Sequence, residues 1–217
     1  MSAIGHCSLH GVPVTRKTRP QQTCGKDAFV AGLRFIGEWL VEKHGTQRRR
    51  AWRKLHLAVD AKTGTIVAST LTSKEVDNAA ELGPLLDQVD EPLAAVVAGG
   101  AYDQDRVYDA VAGHSAEAAV VVPPRSTAVL SSSNESDPTQ RDRHIQAIAG
   151  QGRMGWQRTS GYNARAGAEG AMSRYKRIIG DTLRSHTCPA QEVETRIAVT
   201  VLNRMLDLGR PESVRAA

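Results

Sequence analysis

Two short apolar runs constrain the fold of this chain more than any other feature. Residues 94–98 read AAVVA and residues 118–122 read AAVVV. Runs that are apolar throughout are typical of strands buried on both faces of a sheet. Between them, a helix that begins at Asp103 or Asp105 carries apolar residues at helical spacing. Strand, helix and strand with short connections predict a parallel βαβ unit.

A second pattern predicts antiparallel strands. Residues 52–60 alternate between apolar and polar side chains, residues 61–64 (AKTG) have turn composition, and residues 65–71 (TIVASTL) are rich in β-formers. This pattern predicts a hairpin. Residues 27–37 have the length and composition of one further strand. We therefore expect an α/β fold with a mixed sheet and flanking helices, of which the ribonuclease H-like arrangement is one candidate.

Two further helices are predicted from apolar periodicity. Asn78 is a suitable cap for a helix that extends to about Val89, with leucines on one face. The last helix is expected over about residues 190–208. Both helices are expected to have one apolar face, formed in the last helix by Ile197, Val201, Met205 and Leu208.

Composition limits the domain organisation and the class of protein. Hydrophobic residues make up 41% of the 217 residues, enough for one core, and no run approaches the roughly 20 apolar residues of a membrane helix. We expect a loose arm over residues 1–25, one domain over residues 26–217 and a mobile polar insertion at residues 126–141. Three scattered cysteines do not form a disulfide framework. The chain is expected to be cytoplasmic, with no membrane partner.

Four residues form the clearest chemical constellation. Tyr162, Arg165, Glu169 and Lys176 fall within about 60° of one another at about 100° per helical residue. The adjoining face is apolar and is predicted to pack, with Ala168, Met172, Tyr175 and Ile179 on it. One interpretation is an ordinary surface helix with an Arg–Glu pair. The other is a carboxylate held among cations for a chemical purpose.

The order of several motifs favours the second interpretation. The spacing Y-x2-R-x3-E-x6-K is accompanied by GAYDQDRVYDAV, AAVVVPPR and GRMGWQRTSGYN in the same order along the chain. In these segments the chain resembles bacterial insertion-sequence transposases of the DDE type, in the group with the YREK signature. The resemblance covers nearly the whole chain.

The resemblance implies a ribonuclease H-like catalytic domain that cuts and joins DNA at element ends by metal-dependent phosphoryl transfer. It implies Mg2+ or Mn2+ as cofactor, double-stranded DNA of element ends and target as partner, and a homo-oligomer on DNA. Glu169 matches the catalytic, metal-binding Glu. Tyr162, Arg165 and Lys176 match positions that hold DNA near that site.

The chain departs from this family at two carboxylate positions. Gly99, in the run GGAYD, stands where the resemblance places the second metal-binding Asp, and Phe29, in FVAGL, stands where it places the first. Asp103 and Asp27 are the nearby candidates to replace them, and Asp60 is interpreted as a turn residue. The family carries a helical region before the catalytic domain, so we also expect this copy to be truncated at its N-terminus.

A basic block follows the first predicted strand. It is expected to contact DNA phosphates through Arg48, Arg49, Arg50, Arg53 and Lys54, with Trp39 and Trp52 beside it for stacking. The alternative is a solvated basic loop. The net charge of +5 and a pI near 9.3 agree with an anionic partner.

Two functional hypotheses follow from these residues. The first is a transposase that performs strand cleavage and joining with the help of Glu169. The second is a catalytically dead DNA-binding remnant, or an inhibitor of an intact transposase.

Overall fold

The computed structural model describes residues 29–38 and 52–209, with side chains described from Arg53 to Gly209. Its centre is one mixed sheet. The strands run in the order β3-β2-β1-β4-β5, and β6 pairs with the end of β1. Their bounds are β1 Phe29–Glu38, β2 Trp52–Asp60, β3 Ile66–Ser73, β4 Ala95–Val97, β5 Ala119–Val121 and β6 Thr182–Leu183.

Antiparallel and parallel pairing divide this sheet into two halves. Strand β2 is antiparallel to both β1 and β3, whereas β4 and β6 are parallel to β1 and β5 is parallel to β4. The predicted hairpin and the predicted parallel βαβ unit are both confirmed. The expected α/β class is therefore confirmed, with the strand order of a ribonuclease H-like fold.

The turn of the hairpin explains the role of Asp60. Its Oδ1 accepts hydrogen bonds of 2.8 Å from the backbone N–H groups of Lys62 and Thr63. Gly64 completes the turn at φ +72°, a conformation that glycine adopts without steric cost. Asp60 is thus the turn residue that its position in the sequence predicts.

In the described residues, five α-helices pack around the sheet. Their bounds are α1 Leu82–Leu86, α2 Asp105–His114, α3 Gln140–Thr159, α4 Ala166–Ile178 and α5 Cys188–Leu208. The bounds of α2 and α5 agree with the predicted ones to within about two residues. The apolar face predicted for the last helix is wrong, because Ile197, Val201, Met205 and Leu208 are exposed and α5 packs through Ala198 and Leu202 instead. Strand β6 and the full extent of α3 are not predicted from the sequence.

The helix predicted from Asn78 to Val89 is shorter than expected. Residues 78–81 form a 3-10 turn that Asp77 precedes, so Asn78 is not the cap. Pro84 lacks a backbone N–H, and an α-helical hydrogen bond to the carbonyl of Ala80 therefore cannot form. After Leu86 the chain tightens into bonds between residues three apart, which keeps Val89 on the buried face.

The polar segment before α3 is anchored to that helix. Thr139 and Asp142 form a reciprocal capping box, and Asp142 also accepts hydrogen bonds from the N–H and hydroxyl of Ser131 at 2.8 and 2.7 Å. The hydrogen bonds from Ser131 and Thr139 hold the pKa of Asp142 far below its usual value. The insertion expected to be mobile is therefore tied down at Ser131, and its last two residues belong to α3.

Two apolar layers form the core, one on each face of the sheet. One layer joins strand residues to α1 and α2, through Leu82, Leu85, Leu86, Val107 and Val111. The other joins strand residues to α3, α4 and α5, through Trp156, Ala171, Met172, Tyr175 and Leu202. The domain is therefore a three-layer arrangement of helices, sheet and helices.

Amide side chains bind the backbone of both edge strands. At β3, Asn203 accepts from Ile66 N at 2.9 Å and donates to Ile66 O at 2.7 Å. At β5, Gln140 accepts from Val120 N at 2.8 Å and donates to Ala118 O at 3.2 Å. These contacts occupy backbone groups that would otherwise be open to pairing with another chain.

The prediction of a loose arm over residues 1–25 lies outside the described residues. None of the helices between residues 53 and 209 combines the length and apolar character needed to cross a bilayer.

Candidate functional site

The candidate site lies where the parallel strands β4 and β5 end. Gly99 and Gly100 follow β4, and Pro123 and Pro124 follow β5. The two ends touch, because a Cβ placed on Gly100 would lie 3.4 Å from the carbonyl oxygen of Pro123. Ligands of open α/β sheets bind outside such carboxyl ends, so this is the edge at which chemistry is expected.

The backbone of Phe29 lies at the start of β1, three residues short of the level of Gly99. Phe29 pairs with Val96 in β4, shortly before Gly99. The two positions that the family resemblance assigns to aspartates therefore belong to neighbouring strands.

The Tyr162, Arg165, Glu169 and Lys176 constellation lies on one continuous helical segment. Gly161, at φ +77°, begins a 3-10 turn over Tyr162–Arg165, which leads directly into α4. Glu169 lies in the first turn of α4, and Lys176 is exposed about two turns further on. On the adjoining face Ala168, Met172 and Tyr175 are buried and Ile179 is half-buried. The predicted packing face is confirmed.

Arg165 joins this segment to the end of β4. Its Nη1 lies 2.7 Å from Glu169 Oε1, and its guanidinium carbon lies 5.9 Å from the centre of the Tyr162 ring. A Cβ on Gly99 would lie 3.6 Å from Arg165 Nε, which is ordinary van der Waals contact. The structure therefore brings Gly99, Arg165 and Glu169 together.

A buried aromatic network supports the Tyr162 turn. The rings of Trp156 and Tyr162 lie 5.3 Å apart, and Trp156 Nε1 donates to His144 Nδ1 at 2.9 Å. Because Nδ1 accepts, Nε2 carries the proton and donates to the carbonyl of Val120 at 2.8 Å. Sequence reasoning missed this support, and the Trp156 in the motif GRMGWQRTSGYN was the signal that could have indicated it.

Asp103 has a structural role. Its side chain is fully buried, accepts from Arg141 at 2.7 and 3.1 Å and accepts from the N–H of Arg125 at 2.9 Å. Burial alone would raise the pKa of Asp103, but the hydrogen bonds and charges of Arg141 and Arg125 lower it below its usual value. With both oxygens engaged, Asp103 links the loop after β4 to α3, which leaves it unsuited to replace a metal ligand at Gly99.

The basic block is only partly described. Arg53 Nη2 donates to Cys188 Sγ at 2.7 Å. Lys54 is 8% exposed, and its ammonium group donates to the carbonyl of Val76 at 2.5 Å and to Asn78 at 3.4 Å. Lys54 therefore holds the loop after β3, and this burial disfavours a phosphate contact. Arg48, Arg49, Arg50 and Asp27 lie outside the described residues.

The side chains described from Arg53 to Gly209 do not fit a divalent metal pair. They contain no group of three His, Cys, Asp or Glu residues that could hold an ion. Gly99 offers no ligand atom, and the carboxylate of Glu169 is paired with Arg165. Mg2+ sites in proteins draw on several oxygen ligands, which this part of the chain does not assemble.

The fold and site define an α/β domain in which Glu169 lies among cations near the end of a central parallel strand. Comparison with known families is more specific. The model of the family described as Transposase DDE domain matches residues 14–204, and the chain belongs to this family. The expected DDE-type kinship is confirmed.

One solved structure is similar over much of the chain. It is a cryo-EM structure of the piggyBac transposase synaptic complex with hairpin DNA, with 7% sequence identity and a TM-score of 0.48. The match covers 82% of this chain and 46% of that one, so this chain spans about half the length of that transposase.

Proposed function

We propose that this chain is a DNA-binding domain of an insertion-sequence transposase lineage whose phosphoryl-transfer centre is incomplete. The observation that carries the proposal is the position of Arg165. Its guanidinium group lies beside Gly99 and pairs with Glu169, where the family resemblance expects two metal-binding carboxylates. A cation at this point favours phosphate over Mg2+ or Mn2+.

The ion pair of Arg165 is weak enough to be exchanged. The side chains of Arg165 and Glu169 are 40% and 60% exposed. Exposed pairs of this kind contribute about 0–1 kcal/mol. A backbone phosphate can therefore replace Glu169 as the partner of Arg165, with Lys176 on the same helix as a second cation and Tyr162 as an adjacent ring.

Charge and family support double-stranded DNA as the ligand. The formal net charge is +5, and the chain belongs to a transposase family. Within this proposal the DNA is that of element ends and target, and the protein acts as a homo-oligomer on it. Arg53 remains a predicted phosphate contact near the start of β2.

A second candidate function is metal-dependent cleavage and joining of DNA strands. Glu169 favours this candidate, because it lies in the first turn of α4 and Arg165 links it to Gly99. It requires further oxygen ligands from outside the described residues, of which Asp27 is the predicted one, or from DNA phosphates.

Binding of a labelled duplex by fluorescence anisotropy tests the first proposal. The duplex is taken from the DNA that flanks the coding sequence, and wild-type protein is compared with Arg165→Gln and with Arg204→Gln. Arg204 is an exposed arginine on α5, which packs towards the opposite edge of the sheet, at β3. We expect Arg165→Gln to weaken binding several-fold and Arg204→Gln to leave it unchanged. Equal affinities of the two variants would contradict the role of Arg165.

A cleavage assay with Mg2+ or Mn2+ tests the second candidate. Strand nicking that depends on the metal and is lost in Glu169→Gln would establish it. We expect intact DNA under both metals.

A further inference from the structure

Two arginines outside the predicted site border the same strand ends as Arg165. Arg125 follows Pro124 at the end of β5 and is exposed. Arg153, on α3, is also exposed, and its Nη2 donates to the carbonyl of Pro124 at 2.9 Å. The carbonyl group that immediately precedes Arg125 therefore binds the guanidinium group of Arg153.

These residues are continuous with the Arg165 site. Arg165 contacts Gly99, Gly100 contacts Pro123, and Pro124 binds Arg153. Arg125, Arg153 and Arg165 thus surround the carboxyl ends of β4 and β5. This edge is where open α/β sheets bind their ligands.

The nearby carboxylates leave this cluster with a positive balance. Asp103 binds the backbone N–H of Arg125, but its charge is matched by the two-pronged contact with Arg141. Glu169 is matched by Arg165. Because Glu169 offsets the charge of Arg165, the excess positive charge at these strand ends comes from Arg125 and Arg153, and it attracts anions.

A break in α3 lies next to Arg153. Gly152, at φ +73° and ψ 165°, interrupts the helical backbone immediately before Arg153. Side chains other than glycine are strained in this conformation. Glycine therefore permits the break in the helix that immediately precedes Arg153.

We propose that Arg125 and Arg153 bind backbone phosphates of double-stranded DNA and extend the surface around Arg165 across the ends of β4 and β5. The inference rests on the proposed function, since it assigns more of the surface that the same DNA contacts. In this arrangement the DNA backbone lies across the sheet edge, with Arg165 on one side and Arg125 and Arg153 on the other.

The salt dependence of duplex binding by the full chain tests this inference. Affinity for the labelled duplex is measured over a series of NaCl concentrations for Arg125→Gln, Arg153→Gln, the double variant and the Arg204→Gln control. Each lost phosphate contact lowers the slope of log K against log [salt] by about 0.9. We expect a change near 0.9 for each single variant, about twice that for the double variant, and none for the control.

Two further measurements distinguish the effect of unfolding from the effect of a lost charge. Thermal melting identifies a variant that has lost its structure, and Arg125→Gln, at an exposed side chain, keeps the inference testable if Arg153→Gln does not fold. Arg153→Lys keeps the charge and is expected to keep the wild-type slope. A double variant with the slope of the control would overturn this inference while Arg165→Gln still tests the proposed function. Absence of any wild-type binding would overturn both.

Discussion

Gly99 shows how one residue decides what a site can hold. Its backbone, at φ −74° and ψ 165°, is open to any amino acid, so glycine is not required there by conformation. The space beside it is occupied by Arg165 at ordinary contact distance. The absence of a side chain at this position therefore matters for ligand chemistry and not for the fold.

Gly99→Asp is expected to create metal affinity that the wild type lacks. The Cβ of the new side chain would lie 3.6 Å from Arg165 Nε, so its carboxylate would compete with Glu169 for that guanidinium group. With Glu169, the new side chain would place two carboxylates beside one arginine, and carboxylate oxygens are ligands that suit Mn2+. Calorimetric titration with Mn2+ measures the change.

Gly99→Ala is the matched control, because it adds the Cβ without the carboxylate. Mn2+ binding by both variants, or by neither, would contradict the assignment of Gly99 to the missing ligand position.

His56 makes the stability of the domain depend on pH. It is fully buried on β2; its Nε2 lies 2.9 Å from Thr72 Oγ1, and its Nδ1 has no hydrogen-bond partner. Burial, with a smaller contribution from the charge of Lys54, lowers the pKa of His56 from 6.5 to about 4. As the pH falls, the unfolded chain therefore takes up a proton before the folded one does.

This difference in proton uptake predicts that the domain loses stability at pH values well above those at which carboxylates titrate. Between pH 7.5 and pH 5 the free energy of unfolding should fall by about 2 kcal/mol from His56 alone. Urea unfolding at the two pH values measures the loss. His56→Leu should lose less unfolding free energy between these pH values. His186→Gln, at an exposed position, should lose as much as the wild type does. Equal losses in all three proteins would refute the assignment to His56.

At the scale of elements, α3 shows why some of the fold was not predictable. The hairpin, β4 and β5 follow from alternation and apolar runs within a few residues, because burial imposes those patterns locally. Helix α3 is polar, and Gly152 interrupts it, so its periodicity is weak. Its start is fixed by Asp142, whose partner Ser131 lies in a segment without regular structure.

The candidate site was predictable in the same limited way. Arg165 and Glu169 are one helical turn apart, so their pairing could be read from spacing. The contact between Arg165 and Gly99, and the burial of Asp103 by Arg141, join residues that are distant in sequence. Such contacts depend on how the elements pack, and no local pattern encodes them.

The capping box at α3 is expected to contribute measurably to stability. The Thr139 hydroxyl accepts from Asp142 N at 3.1 Å and donates to Asp142 Oδ2 at 2.8 Å. Thr139→Ala should therefore lower the free energy of unfolding by about 1 kcal/mol. Urea unfolding at neutral pH provides the value.

The chain supplies its own control for this change. Thr187 precedes α5 in the same extended conformation but makes no capping hydrogen bond through its side chain. Thr187→Ala should have an effect close to zero. A cost at Thr187 equal to that at Thr139 would show that the side-chain bonds of the box are not the cause.

At the scale of the whole molecule, a closed α/β domain carries its functional groups at one end of the sheet. Amide side chains cover both edge strands, and two apolar layers hold the helices in place. In the described part of the chain, the ends of β4 and β5 carry arginines, with Glu169 paired to Arg165 and Asp103 paired to Arg141. This distribution of charge suits a surface that receives the DNA backbone.

The most direct test of this proposal is duplex binding by the wild-type protein in EDTA and in Mn2+, each over a range of salt concentrations. We expect binding that weakens steeply with salt and has the same affinity with and without the metal, because arginines and not a metal centre contact the phosphates. Binding that requires Mn2+ and is lost in Glu169→Gln would contradict the proposal and indicate that a metal centre is complete in this chain.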